Sequence, residues 1–237
     1  MAAHKSLTYD EYWRIHGVVR GDVESAIKSN HTYLTINDLS VSDRNAEEKL
    51  NEFPEFWLFN AYALQTTFFM ALGRLFDSRK DSHSILKLVD ATIANPQLFT
   101  KTALHARKRM FANIHGSDPD SFAPRVTAAW EPGAADLMAL KTELEPHHLK
   151  FKVIYQPIRH TLFAHRSMES EADIFSRFQK TNIKEVEDIL RFLHTLLCAI
   201  REMAWKGKRI NLVDTSEHDK WVEGIKTKTA DFIRRLP

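Results

Sequence analysis

Glycine is scarce in this sequence, and its scarcity constrains the fold more than any other feature. Only 7 of the 237 residues are glycine, which is about 3% against an average near 7%. Sheet-rich folds need glycine at turns and bulges. With 43% hydrophobic residues, the chain is nevertheless apolar enough to form a sizeable core. We therefore predict an all-α protein.

Apolar residues repeat every three or four positions along most of the chain, which predicts helices. The clearest repeat runs from Thr181 to Lys206 and ends at Gly207. Further helices are predicted over 8–30, 52–77, 84–94, 97–115 and 134–158, and in a C-terminal segment containing Trp221, Val222, Ile225 and Phe232. Pro146 and Pro157 should kink or briefly break the run over 134–158. We find no convincing strand and no internal repeat.

Two stretches lack this periodicity. Thr8 and Glu11 form a capping box that starts the first helix, and this helix should end near Asn30. Residues 31–51 are predicted as a connector with at most a helical turn. Residues 117–133 contain three prolines and are predicted as a loop.

These boundaries give the expected organisation. Residues 1–51 form an N-terminal helix and connector, and residues 52–206 form a helical bundle on which they pack. Residues 207–237 add a C-terminal helix. At this length, we expect all three parts to belong to one structural domain.

Charge and composition exclude several classes of protein. The 33 basic and 31 acidic residues give a net charge of +2, so overall charge does not identify a nucleic-acid binder. The apolar run from Phe56 to Leu72 is shorter than the about 20 residues that cross a bilayer and is interpreted as a buried helix. The N-terminus lacks the apolar segment of a secretory signal, and the single cysteine, Cys198, fits a reducing compartment. We expect a cytoplasmic protein without membrane contact.

One short segment combines residue types suited to phosphate chemistry. The sequence IRHTLFAHR, residues 158–166, places Arg159 and His160 ahead of a second histidine, His165. A histidine can transfer protons near neutral pH. An arginine can hold two phosphate oxygens and stabilise the charge that develops in a transition state. Because RNA carries a 2′-hydroxyl that can attack the adjacent phosphodiester, this pair suits RNA cleavage without a metal.

The segment resembles the ribonuclease motif of the HEPN superfamily, in which an arginine is followed by Asn, Asp or His and, after a few more residues, by a histidine. The arrangement is most similar to the AbiU2-type HEPN proteins of bacterial abortive-infection systems. An aromatic-rich helix upstream ends with Gly73-Arg74-Leu75-Phe76-Asp77 and is followed by Ser84-Ile85-Leu86. The resemblance covers residues 52–206. It implies an HEPN-like helical bundle with an extra N-terminal and a C-terminal helix.

The same resemblance implies a function. This function is that of a metal-independent endoribonuclease without cofactors, which acts on RNA in phage defence or as a toxin with an antitoxin partner. It also implies a homodimer whose two motifs face each other across the interface. Arg159 would stabilise the phosphate, His165 would transfer the proton, and His160 is the next candidate. Alternatively, His165 is a hydrogen-bonded histidine at a helix end and Arg159 pairs with a local carboxylate.

Other residues are assigned supporting positions. Arg74 and Asp77, three residues apart, form either a salt bridge or helix cap, or a pair that orients the motif from the opposite helix. Arg166, Arg109 and Lys108 are candidates for substrate binding.

A second match to the motif pattern, Arg109 with His115, competes with the first. Composition alone predicts about two such matches in this chain. We favour Arg159 and His165 because the polar His160 follows the arginine, because the segment lies between two long predicted helices, and because the AbiU2-like element precedes it. On an unbroken α-helix, residues six apart lie about 120° around and about 9 Å along the axis. The chain should therefore leave regular helix within or just after the motif.

Two alternatives remain open. The first is a noncatalytic HEPN-like module that binds a partner protein or nucleotide. The second is a helical DNA-binding protein that uses the basic segment with Lys101, Arg107, Lys108 and Arg109. A second basic cluster contains Lys206, Lys208 and Arg209. A metal site has only a two-ligand start in Glu143 and His147, with His148 diverging, so none is predicted. Cys198 lies on a predicted core helix and is interpreted as inert.

Overall fold

The computed structural model describes residues 6–79, 81–164, 179 and 181–236. Within these residues the protein is all-α, as predicted, and contains no strand. The α-helices are α1 (Tyr9–Ser42), α2 (Arg44–Glu52), α3 (Pro54–Leu75), α4 (Ile85–Ala94), α5 (Lys101–His115), α6 (Ala123–Thr127), α7 (Ala134–Lys150), α8 (Ile183–Lys206) and α9 (Ser216–Arg234). Short 3₁₀ turns cover Pro96–Phe99 and Pro119–Phe122.

Helix α1 is much longer than the sequence suggested. The predicted end near Asn30 and the connector over 31–51 are both wrong, because α1 continues to Ser42 and α2 follows after Asp43. Polar residues usually weaken a helix by competing for backbone groups. Here Thr35 and Ser42 each donate to the carbonyl four residues earlier, at 2.7 Å, so their hydroxyls are satisfied inside the helix.

A small second core explains why this polar segment folds. Leu39 of α1 and Leu50 of α2 pack with Ile233 of α9. Asp43 caps α2 by accepting a hydrogen bond from the Ala46 amide. Its carboxylate also accepts one from Nε of Arg234 in α9, at 3.0 Å. The C-terminal helix therefore holds the end of α1 and α2 in place.

The main core lies between α1, α3, α4, α7 and α8. Its α8 stripe contains Leu190, Leu193, Leu197 and Ile200, which confirms the predicted apolar face, and Gly207 ends the helix with a φ of 59°. Helix α3 was interpreted as buried along its length, but only its C-terminal half, from Phe68 to Leu75, is buried. The N-terminal half carries large exposed side chains.

The two prolines act differently. Helix α7 continues as α-helix through Pro146 to Lys150. The chain then widens into a π-helical turn (Phe151–Tyr155), makes one α-helical turn (Gln156–Ile158) and widens again into a second π-helical turn (Arg159–Ala164). We refer to Phe151–Ala164 as the π segment. Proline lacks the amide hydrogen that a regular α-helix would use at Pro157, and π-helical turns often mark functional sites.

Two smaller predictions also need adjustment. The helix expected from Gln97 starts at Lys101, capped by Thr100, and ends as predicted at Gly116 with a φ of 65°. The loop predicted over 117–133 contains the short helix α6. Throughout the part of the chain that the structure describes, no helix combines the length and the apolarity needed to cross a bilayer.

Candidate active site

Arg159 opens the second π-helical turn, and this turn packs against α3. The departure from regular α-helix that the motif required is therefore present at the motif itself. The side chain of Arg159 is half-buried. His165 and Arg166 lie outside the described residues.

The side chain of Arg159 lies directly on Gly73 of α3. A Cβ atom built on Gly73 would stand 2.1 Å from Nε of Arg159, 2.3 Å from Cδ and 2.8 Å from Cζ. Any residue other than glycine would therefore collide with this side chain, and glycine is the residue that lets a helix backbone approach a neighbour so closely. We call this contact the Gly73 notch.

One donor of the guanidinium in the notch is buried and unpaired within the described part of the chain. It is Nε, for which the described residues provide no hydrogen-bond partner. Arg74, Arg79, Arg191, Arg201 and Arg234 each form an ion pair, whereas among the described residues no carboxylate forms one with Arg159. Arg159 therefore lies against α3 without an ion pair to any of the described carboxylates.

Asp77, at the end of α3, is the acidic residue whose charge interacts with Arg159. Its carboxylate accepts from the Arg79 side chain at 2.8 Å and from the Arg79 amide at 2.9 Å. The Arg79 side-chain hydrogen bond is the main reason that the pKa of Asp77 lies below its usual value, and the charge of Arg159 lowers that pKa further. Asp77 therefore stays ionised at neutral pH beside the motif.

Arg74 and Asp77 do not pair with each other. Arg74 forms two hydrogen bonds with Asp22 of α1, at 2.7 and 2.9 Å. Of the upstream residues, Gly73 contacts the motif arginine and Asp77 interacts with it through its charge, whereas Arg74 ties α3 to α1.

His160 is exposed, and the next residue, Thr161, is buried. Just upstream, Tyr155 anchors the π segment to the start of α8. Its hydroxyl donates to the Asn182 carbonyl at 3.4 Å and lies 3.2 Å from Glu185 Oε2. Burial raises the pKa of Tyr155, and the Glu185 charge adds to this effect, so the phenol stays neutral.

The basic residues of α5 lie at the other end of α8. Arg107 donates to the Ala204 carbonyl at 2.6 Å and to the Leu98 carbonyl at 2.8 Å. Asn182 and Ala204 are separated by about 33 Å of helix. Lys108 and Arg109 are thus not brought next to Arg159 within one chain.

The predicted basic cluster on α5 is not a continuous exposed surface. Arg107 is buried beneath the Tyr9 ring, and Lys108 lies over the rings of Phe122 and Trp205. In the second cluster, Lys206 and Lys208 both pair with Glu202, at 2.7 and 2.6 Å. These contacts weaken the DNA-binding alternative.

Backbone conformation distinguishes the competing motif match from the favoured one. Arg109 and His115 both belong to α5, which is regular α-helix over its whole length. They therefore diverge by about 120° around the axis. His115 instead lies against the ring of Phe111, at 4.2 Å between centroids.

A model of the HEPN family AbiU2 matches residues 10–219 of the chain. The chain belongs to the AbiU2 family of HEPN proteins. No curated protein and no solved structure matches it. The AbiU2 match extends further than the resemblance over 52–206, since it also includes α1, α2 and the start of α9. The long α1 is thus part of this AbiU2 protein's family module, in agreement with its packing along α3 and α8.

The structure of this AbiU2 protein also brings together one group of side chains that the sequence did not reveal. The sequence predicts no metal site and indicates that Cys198 is inert. Among the described residues, His194, Cys198 and Glu217 have potential ligand atoms that all lie within 4.8 Å of one another. The four-residue spacing of His194 and Cys198 was a usable signal, because it places both on one helix face. His147, by contrast, stacks on Phe192 at 4.1 Å.

Proposed function

We propose that this AbiU2 protein is a metal-independent endoribonuclease in which Arg159 holds the scissile phosphate and His165 transfers a proton. The observation that supports the proposal best is the Gly73 notch. It places against α3 a guanidinium with which no carboxylate of the described residues forms an ion pair, at the first position of the motif. The family match is the second support.

The proposed reaction uses only groups that RNA and the protein supply. The ribose 2′-oxygen attacks the adjacent phosphorus as its proton passes to a base, and a bond forms between O2′ and phosphorus. The bond from phosphorus to the 5′-oxygen breaks, and that oxygen receives a proton. The products are a 2′,3′-cyclic phosphate and a 5′-hydroxyl. His165 serves in proton transfer, and His160 is the next candidate.

Arg159 suits the phosphate role because of how it is held. Negative charge builds up on the non-bridging oxygens in the transition state, and a fixed guanidinium stabilises it without having to reorganise. An arginine already neutralised by a carboxylate offers less, because its donors are occupied. Asp77 balances the charge from a distance, since its own hydrogen bonds go to Arg79.

We further propose a homodimer formed through the exposed N-terminal half of α3. This face lies along α3 from Gly73, so it differs from the contact implied by the resemblance, in which the two motifs face each other. Phe53, Phe56, Leu58, Phe59 and Tyr62 are each between 56 and 71% exposed. Together they present on the order of 600 Å² of mostly apolar surface, close to the about 800 Å² that each partner buries in a standard interface. A second copy is the occupant that supplies an identical apolar face, as a twofold contact requires. A role in abortive infection, with an antitoxin as a further partner, is proposed from the family alone.

The experiment is cleavage of single-stranded RNA by the purified protein with a chelator present. We expect cleavage products that end in a 2′,3′-cyclic phosphate, and no cleavage of a strand whose riboses are all 2′-deoxy. The variant His165→Ala should cleave at least about 100-fold more slowly. Intact RNA with the wild-type protein, or equal cleavage by a folded His165→Ala variant, would contradict the proposal and favour a noncatalytic binding module.

A further inference from the structure

The junction between α8 and α9 brings together three side chains of the kinds that bind transition metals. His194 and Cys198 lie one turn apart on α8, and Glu217 lies in the first turn of α9. The sulfur of Cys198 is 3.7 Å from Nδ1 and 3.9 Å from Nε2 of His194. One ligand atom from each of the three residues falls within the 4.8 Å group.

These separations fit a tetrahedral zinc site. Zinc binds sulfur at about 2.3 Å and imidazole nitrogen at about 2.0–2.1 Å. At a tetrahedral angle, these lengths place the nitrogen and the sulfur about 3.6 Å apart. The Nδ1 to Sγ distance in the protein is 3.7 Å, which matches this separation. Because Nε2 lies almost as close to Sγ, at 3.9 Å, the His194 ring must turn to point one nitrogen at a shared ion.

The group opens into a cavity through which an ion can arrive. The cavity has a volume of about 290 Å³. Besides the three ligand residues, its lining includes an acidic and an aromatic neighbour, Glu24 and Trp221, and also His16, Arg20 and Arg201. This volume is far more than one water molecule needs. A solvent molecule can therefore complete a four-coordinate site beside three protein ligands.

Arg201 is the group that competes with a cation here. Its Nη2 donates to both oxygens of Glu217, at 2.8 and 3.0 Å, and lies 3.9 Å from the sulfur of Cys198. A carboxylate can bind a metal with one oxygen and keep a hydrogen bond on the other, and such outer partners orient metal ligands. In the bound state Arg201 would therefore give up one of its two hydrogen bonds to Glu217 and keep the other.

We infer that His194, Cys198 and Glu217 form a binding site for a borderline-soft divalent ion of the Zn²⁺ type that clamps α9 onto α8. On binding, a bond forms between the metal and Sγ, and the thiol proton leaves to solvent. Burial raises the pKa of the Cys198 thiol to about 11, so the metal-free cysteine is protonated at neutral pH. The site shares no residue with the proposed nuclease centre, so either proposal can fail without affecting the other.

The experiment is a titration of the reduced, metal-free full-length protein with Co²⁺, followed by displacement with Zn²⁺. We expect one ion per chain, a sulfur-to-cobalt charge-transfer band, and a higher melting temperature with Zn²⁺. Cys198→Ser should lose the band, and both Cys198→Ser and His194→Gln should bind Zn²⁺ at least about 10-fold more weakly. His115→Gln, which changes an exposed histidine on α5, should bind as the wild type does.

Folding of each variant is checked by far-ultraviolet circular dichroism without metal. Glu217→Gln provides a further test of Zn²⁺ binding. Its amide oxygen can still accept a hydrogen bond from Arg201, whereas the carboxylate ligand is lost, so Zn²⁺ should bind more weakly. The inference is overturned if the wild-type protein binds less than one ion per chain. It is also overturned if the folded Cys198→Ser and His194→Gln variants bind Zn²⁺ as tightly as His115→Gln.

Discussion

The guanidinium of Arg159 occupies the space where a side chain on residue 73 would begin. A Cβ on Gly73 would lie 2.1 Å from Nε of Arg159, well inside any possible contact. A side chain at position 73 would therefore displace the motif arginine from this place on α3. The relationship links the upstream AbiU2-like element to the motif 86 positions later in the chain.

Gly73→Ala tests the notch directly. The new methyl group should push Arg159 away and lower RNA cleavage by at least about 10-fold, because small misplacements of catalytic groups are costly. Gly17→Ala is the matched control, since nothing lies within 4 Å of a Cβ at that helical glycine. It should leave cleavage unchanged and raise stability by about 0.5–1 kcal/mol. Equal cleavage rates for the two variants would show that the notch does not position the arginine.

Comparing Arg107→Met with Arg109→Met distinguishes a buried arginine that stabilises the fold from an exposed one that does not. Arg107 is buried and donates to two backbone carbonyls, so its loss leaves those acceptors without this donor. We expect a loss of about 2–3 kcal/mol in the free energy of unfolding, measured by urea denaturation. Arg109→Met, at an exposed neighbour, should change it by less than about 0.5 kcal/mol. A large loss for Arg109→Met, or none for Arg107→Met, would contradict the packing described for α5.

The buried histidines make stability depend on pH. Burial lowers the pKa of both His16 and His31 from 6.5 to about 4. The folded state therefore holds them neutral, whereas the unfolded chain binds protons below about pH 6.5, so stability falls as the pH falls from 6.5 toward 4. Each should cost about 1 kcal/mol between pH 7 and 5.5.

The measurement is urea unfolding at pH 7 and pH 5.5, a range in which surface carboxylates stay ionised. His16→Gln should show a weaker pH dependence than the wild type. Stability that is constant or higher at pH 5.5 would mean that these histidines are not buried neutral as described.

Phe59→Glu tests the proposed dimer face. Phe59 and Ile114 are both 70% exposed, on α3 and α5 respectively. We expect the wild-type protein to sediment as twice 27.5 kDa. Phe59→Glu should sediment as a monomer, because a charge would be buried in an apolar contact, and Ile114→Glu should remain a dimer. A monomeric wild type, or a dimeric and folded Phe59→Glu variant, would contradict a dimer formed through this face.

Most of the fold could be predicted from local signals. The apolar stripe and the terminal glycine of α8, the capping box of α1 and the Ser84 cap of α4 act within one or two turns. The length of α1 could not be predicted, because Leu39 is stabilised by Leu50 and Ile233, which are distant in sequence. Local propensity pointed to a connector, and tertiary packing overrode it.

The candidate site could be predicted only in part. The motif pattern pointed to Arg159, whose role in cleavage stays a prediction, and the departure from regular helix that the motif required followed from helix geometry. The role of Gly73 could not be seen, because a close approach between two helices leaves no pattern in one of them. Glu217 was equally hidden, since it joins His194 and Cys198 through the packing of α9 on α8.

The most direct test of the central claim is the RNA cleavage rate of Arg159→Ala measured beside Arg109→Ala, each with a chelator present and after folding is verified by thermal melting. Both arginines begin a match to the same motif pattern, but only Arg159 lies in the Gly73 notch. We predict that Arg159→Ala slows cleavage by about 100-fold or more and that Arg109→Ala leaves the cleavage step unchanged. Wild-type cleavage by a folded Arg159→Ala variant would contradict the account.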